Sequence, residues 1–292
     1  MRCKTFLVLV PILASAQAQS ERSVHYNLLL NQASVHAAKG ESRAALTDYD
    51  SAFAHVPWGL WQRTEAASFA LTQGDTSHAL LYLEDIYRRG GQPLLTYSNE
   101  IKAWIANGFP EPELERLRMA IQDWSVHADS VWIKALAEME TSDQQGGRSD
   151  EHIYLVNDSL NLDRLIELAG SRGFPCPSIT GASYSTVGWL LWHHRGMITS
   201  SPRLRYFISL AEAEIQKGSI DPDLLCGLQD FEDVQAGRPM RYGTLLYYYH
   251  ERGHIKLMDR AELNRNRALV GLVPIEDFAI QFGIDLDAVT RP

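Results

Sequence analysis

The chain has 292 residues, of which 45% are hydrophobic and 22% charged, so it can build a packed core and has room for two domains of ordinary size. Its formal net charge of −9 counts against nucleic acid as a partner, because phosphate binding needs clustered cations.

The opening MRCKTFLVLVPILASAQAQS has the layout of an export signal. Arg2 and Lys4 precede Thr5–Ala14, a run that is apolar after its first residue and interrupted by Pro11. Two small-residue cleavage patterns follow, Ala14-Ser15-Ala16 and Ala16-Gln17-Ala18. The run is too short for a permanent bilayer anchor. Residues 1–18 are expected to be removed, the alternative being an N-terminal core helix. The mature chain is then expected to be periplasmic or secreted, with no integral membrane segment. Cys3 precedes the apolar run, so it is not a lipid-attachment cysteine. Loss of Arg2 and Lys4 leaves 25 basic against 36 acidic residues, a formal −11. Cys176 and Cys226 remain, and an oxidising compartment permits a bridge between them. The apolar setting Leu224-Leu225-Cys226 reads instead as a buried thiol.

Region 24–90 repeats. Gly40, Ala45, Tyr49, Ala52 and Pro57 recur 34 residues later as Gly74, Ala79, Leu83, Ile86 and Gly91, the period of the tetratricopeptide repeat. In such a unit glycine turns the chain between two antiparallel helices. Alanine sits where the helices touch, and a larger residue fills the space beside it. Glu41 or Ser42, and Asp75 or Thr76, are candidates to cap the second helices. Residues 94–140 are expected to cover the open end: Leu114, Leu117, Ile121 and Trp124, then Val131, Ala135 and Met139, return at helical spacing after Pro110 and Pro112. Trp104, Trp124 and Trp132 are read as core rather than as a binding face. The polar TSDQQGGRSDE at 141–151 reads as a linker between a 24–140 repeat domain and a 152–292 second domain. In the latter, helices are expected over Asp158–Ala169, 184–195, 203–217 and from Asp221-Pro222 to about Val234.

Residues 250–254, His250-Glu251-Arg252-Gly253-His254, satisfy H-E-x-x-H. On a helix that spacing puts two histidines on one face with a glutamate base, which is zinc hydrolase chemistry. Here Gly253 weakens a helix, Thr244–Tyr249 is rich in strand formers, and HIKLM at 254–258 alternates. Arg252-Gly253 therefore reads as the turn of a small β-hairpin, and His250, Glu251 and His254 stay in second place as metal ligands. Glu276, a conceivable third ligand, lies in an ordinary helix start.

Gly173-Phe174-Pro175, Trp189-Leu190-Leu191-Trp192-His193-His194, Asp230, Gly237–Thr244 and Arg267–Leu272 together resemble an uncharacterised bacterial domain family, over about residues 155–282. Its members commonly follow tetratricopeptide-like helices, so the resemblance implies architecture rather than chemistry. The family's Gln-His-Ala-Asp falls on His193, His194, Arg195 and Gly196. Its Asp-Arg falls on Asp230 and Phe231, and its Tyr-Gly-Thr-Gln on Tyr242, Gly243, Thr244 and Leu245. An acid, a cation and an amide of the family pattern are thus missing. What the resemblance leaves as candidates are His194 and Asp230 as catalytic base and orienting acid, with Arg241, Tyr242, Gly243 and Thr244 as binding residues. Each has a structural alternative: a helix end for His194, backbone hydrogen bonds for Asp230, a bend at Gly243 and a surface ion pair for Arg241.

The expected fold class is mainly α: tetratricopeptide-like helical hairpins followed by an α-rich α+β domain with a small β-hairpin. The leading expectation for function is a protein or peptide held on the concave face of the repeats. A hydrolase using His194 and Asp230 is the alternative, and a zinc hydrolase at His250, Glu251 and His254 the weaker one. No cofactor is expected.

Overall fold

A computed structural model of the chain describes residues 9–56, 58–91, 98–107, 109–144, 151–195, 201–221, 223–249 and 256–289. The protein is mainly helical and no helix of the described residues is long and apolar enough to cross a membrane. It divides into two contact units: a terminal unit of Met1–Val56 with Ile208–Pro292, and a central unit of Pro57–Phe207. These bounds differ from the segments 24–140 and 152–292 expected from the sequence. Residues 145–150 of the expected 141–151 linker lie outside the described residues. Its first part instead completes one helix and Glu151 opens the next.

The terminal unit begins with α1 (Leu9–Ala38) and α2 (Ser42–Phe53), and the central unit with α3 (Leu60–Thr72) and α4 (Thr76–Tyr87). Each pair is a helical hairpin. Gly40 (φ 76°) and Gly74 (φ 73°) occupy equivalent bends. In the first, the Gly40 and Glu41 N–H groups donate to Ala37 and His36 carbonyls; in the second, Gly74 and Asp75 donate to Leu71 and Ala70. That is the hydrogen-bond pattern by which a left-handed residue closes a helix end. Ala45 and Ala79 are fully buried, and Tyr49 and Leu83 are buried beside them. The capping differs: the Asp75 side chain accepts from the His78 N–H, whereas Glu41 makes no such bond.

In the central unit α5 (Asn99–Ala106) packs on α3 and α6 (Glu111–Ser125) on α4, so first helix lies on first helix and second on second. The guanidinium of the fully buried Arg63 on α3 bonds to Asp85 of α4 and to the carbonyls of Trp58 and Gly59, which ties the hairpin internally. Burial works to raise the Asp85 carboxyl, but Arg63 and Arg89 hold it below the usual carboxylate range. Next come α7 (Ser130–Asp143), α8 (Glu151–Arg172), α9 (Pro177–Thr180) with a 3-10 turn, and α10 (Tyr184–His193). Helices α7, α8 and α10 pack against one another pairwise. Trp132 is fully buried in this core, as expected. Trp104 and Trp124 are half-buried, Trp124 donating its indole N–H to the Ser178 carbonyl at 3.3 Å.

Helix α11 (Pro202–Lys217) starts in the central unit, and α12 (Asp223–Gln235), α13 (Leu246–Tyr249), α14 (Arg260–Leu269), α15 (Ile275–Phe282) and α16 (Leu286–Val289) belong to the terminal one. There Leu246, Leu263, Ile275, Ala279, Ile284 and Leu286 form a continuous apolar cluster, and α1 packs on α15. The expected β-hairpin is not confirmed: its turn at Arg252-Gly253 lies outside the described residues, which contain no sheet. Leu246–Tyr249 is a short helix, and the one pairing near it is an isolated parallel bridge between Met240 and Leu257. The reason is local. The Tyr242 and Thr244 N–H groups donate to the Asp230 carboxylate and the Leu246 N–H to the Gly243 carbonyl. The backbone donors a strand would offer are therefore taken by a side chain and a turn.

Cys176 in the central unit and Cys226 in the terminal unit are both buried thiols. Alkylation of the chain lacking residues 1–18 should therefore be slow in the native state. After denaturation without reductant it should label two thiols, by mass spectrometry; a denatured chain that takes no label until reduced would establish the bridge instead.

Candidate functional site

Asp230 and Asp233 lie three residues apart on α12, sharing one face, and both are buried. The Asp230 carboxylate accepts from the Tyr242 N–H at 2.8 Å, the Thr244 N–H at 2.6 Å and the Thr244 hydroxyl at 2.7 Å. Burial pushes its carboxyl up, the Thr244 and Tyr242 donors pull against that, and neighbouring Asp233 adds to the rise. At Asp233 burial also works upward, but the forked contacts of Arg241 (2.8 and 3.0 Å) and Arg238 (2.9 Å) prevail and hold it below the usual range. From α14 the fully buried Arg267 donates to the Tyr242 and Val273 carbonyls, and Asn266 to the Arg241 carbonyl. Gly243 turns the chain at φ 65° against the Ile275 side chain.

Asp230, Arg241, Tyr242, Gly243 and Thr244 are thus brought together in the terminal unit. The bonds of Asp230 to Tyr242 and Thr244, of Asp233 to Arg241, and of Asn266 and Arg267 to the Arg241 and Tyr242 carbonyls clamp residues 241–244 between α12 and α14. His194 belongs to the central unit. It is buried just past the end of α10, and its Nε2 stands 2.8 Å from the Asp158 carbonyl, to which it donates. The bonds named for His194 and for Asp230 stay within their own units. His250, Glu251 and His254 lie outside the described residues.

Two further constellations were not singled out in the sequence. The first lies where α7, α8 and α10 meet. Asp143 ends α7, Asp158 lies on α8 and His193 ends α10, and one ligand atom from each falls within 4.8 Å of the others. Asp143 and Asp158 are buried, and His193 Nδ1 stands 2.7 Å from Asp143 Oδ1. A cavity of about 310 Å³ opens beside them, walled by Glu140, Asp143, Thr186, Trp189 and His193 among others. Two acids with an imidazole at this spacing suit a cation or proton transfer. The signal missed was Asp143, hidden in a stretch whose polarity read as linker.

The second is a groove of about 250 Å³ along the first helices α3 and α5, lined by Trp61, Thr64, Glu65, Ser68, Ser98 and Glu100. Trp61 is 48% exposed, and its indole N–H donates to Glu65 at 2.9 Å. Glu100 accepts from Ser68 at 2.8 Å and from Ser98 at 3.1 Å. Its own backbone N–H and then these two hydroxyls hold its carboxyl below the usual range, so it is an anion at neutral pH. Ser98 also caps α5 by accepting from the Ile101 N–H, which fixes the groove wall to the helix start.

What the fold defines is a mainly helical protein of packed helical hairpins. Comparison with family profiles, curated proteins and solved structures returns no match for the chain.

Proposed function

We propose that the chain is an exported binding protein whose hairpins act in the tetratricopeptide manner and hold a peptide segment of a partner protein. The observation that carries this reading is the groove on α3 and α5. In stacked hairpins of this kind the first helices form the receiving face, and here the groove presents an exposed indole beside the carboxyl groups of Glu65 and Glu100 and three hydroxyl side chains. That chemistry favours a cationic side chain. An arginine or lysine can lie over the Trp61 ring and pair with Glu65 or Glu100. The N-terminal layout of 1–18 supports export. The C-terminal clamp on Asp230 supports a supporting rather than a reacting role for residues 241–244.

The test is calorimetric titration of the mature chain with short peptides centred on Arg-Lys, against peptides of the same length centred on Glu-Asp. The cationic set should bind, and more weakly as salt rises. Trp61→Ala combined with Glu100→Gln should weaken that binding about tenfold, which corresponds to about 1.4 kcal/mol, without lowering the melting temperature, since both residues are exposed. Equal binding of the acidic set, or indifference to the double substitution, would remove the reading.

A further inference from the structure

We infer that Asp143, Asp158 and His193 form a binding site for one divalent transition cation, facing the cavity beside α7 and α10. Three packed helices each contribute one donor to a single point. Donors around a cation bonded at about 2.1 Å stand about 3.4 Å apart in a tetrahedron, so atoms already within 4.8 Å of one another close on an ion by small side-chain rotations. The charges match: two carboxylates and a neutral imidazole balance a dication. Two buried carboxylates this close repel one another, and a cation between them turns that repulsion into ligation. One imidazole with two carboxylates is a mixed nitrogen and oxygen set, which suits zinc or manganese better than the all-oxygen cages of calcium or magnesium.

The surroundings hold the three donors in place. Gln144 Nε2 donates to Asp143 Oδ2 at 2.5 Å, and the His194 Nε2–H donates to the Asp158 carbonyl at 2.8 Å, locking the end of α10 to α8. Asn157 and Asn161 on α8 donate to the Ser142 and Met139 carbonyls of α7 at 2.8 and 3.1 Å, and the Ser142 hydroxyl donates to Asn161 Oδ1 at 2.9 Å. Such outer bonds set the orientation of the ligating groups. Three protein donors leave at least one coordination position, and a cavity of about 310 Å³ adjoins two of them, Asp143 and His193. This is the arrangement of an open site that admits water or a small oxyanion rather than a closed structural one. Thr186, whose hydroxyl bonds to Glu140 at 3.2 Å, stands on the same wall. His194 is a positioning residue in this scheme, acting through Asp158.

The experiment is equilibrium dialysis of the chelator-treated mature chain against Zn²⁺ and, separately, Mn²⁺, with metal analysis of the protein and the melting temperature read in parallel. One ion per chain is expected, with a rise in melting temperature on loading. Asp143→Asn and His193→Gln should each weaken binding at least about tenfold and abolish the melting shift. His193, whose side chain is 15% exposed against 2% for Asp143, carries the test should Asp143→Asn not fold. A double variant, His250→Ala with His254→Ala, should bind as the parent does. No ion on the parent chain, undiminished binding in His193→Gln, or loss of binding only in the His250/His254 variant would each overturn the site.

Discussion

Asp230→Ala should destabilise the terminal unit by about 3 kcal/mol, read as a lowered urea midpoint. The side chain is fully buried and its two oxygens take three donors, two from the backbone. Alanine leaves those donors unsatisfied, and each such loss costs about 1 kcal/mol or more. Asp230→Asn should fall between parent and alanine, because one of its two terminal atoms becomes a donor facing a donor. The dependence on pH follows from the raised carboxyl. A group whose folded value is raised contributes fully below its ordinary value and less as pH rises through the raised one. The gap between parent and Asp230→Ala should therefore be widest in acid and narrow towards neutrality. Asp233, shifted the opposite way, is present in both chains, but its repulsion of Asp230 is lost with the alanine and belongs to the difference. A hydrolase that used Asp230 to orient a base would behave otherwise: Asp230→Asn would keep parental stability and lose only activity. Parental stability in that variant would reinstate the catalytic candidate.

The parts of the fold that the sequence showed are those governed by local rules. Gly40 and Gly74 stand a fixed stride apart because each closes a helix with the same two hydrogen bonds, and the alanines after them mark where helices touch. The helices over 184–195 and 203–217 showed in the same way, through apolar spacing. What misled were residues whose role depends on distant partners. The tyrosine run at 247–249 has strand propensity, but Asp230, on the preceding helix α12, takes backbone donors just before it, those of Tyr242 and Thr244. Asp143 read as linker because polarity was weighed without knowing that Asn157 and Asn161 of the next helix would hold that helix end in place. The contact units are a further case of distant partners. A reading in chain order assumes contiguous domains, whereas residues before 57 and after 207 share one. Of the candidate site, backbone hydrogen bonding at Asp230 was the structural alternative open in the sequence, while the Asp143–Asp158–His193 cluster and the α3–α5 groove join residues too far apart in the chain to be read from it.

Gly271→Ala should cost about 4 kcal/mol, while Gly40→Ala in the same unit should cost about 1 kcal/mol. Both glycines have positive φ, 78° and 76°, so both variants carry the strain of a left-handed alanine. They differ in what a methyl group would meet. At Gly40 there is open space within 4 Å. At Gly271 the new carbon would stand 2.1 Å from the Val24 carbonyl oxygen and 2.8 Å from the Val24 carbonyl carbon and Cα. Those are backbone atoms of α1, and they have no rotamer by which to retreat. Either α1 moves off or the turn after α14 opens, breaking the Leu272 N–H to Arg267 carbonyl bond that closes it. Since α1 also packs on α15, the loss should appear as faster hydrogen exchange in both helices as well as a lowered urea midpoint. The difference between the two variants isolates steric overlap from conformational strain. Equal stability of Gly271→Ala and Gly40→Ala would mean that α1 does not press on this turn.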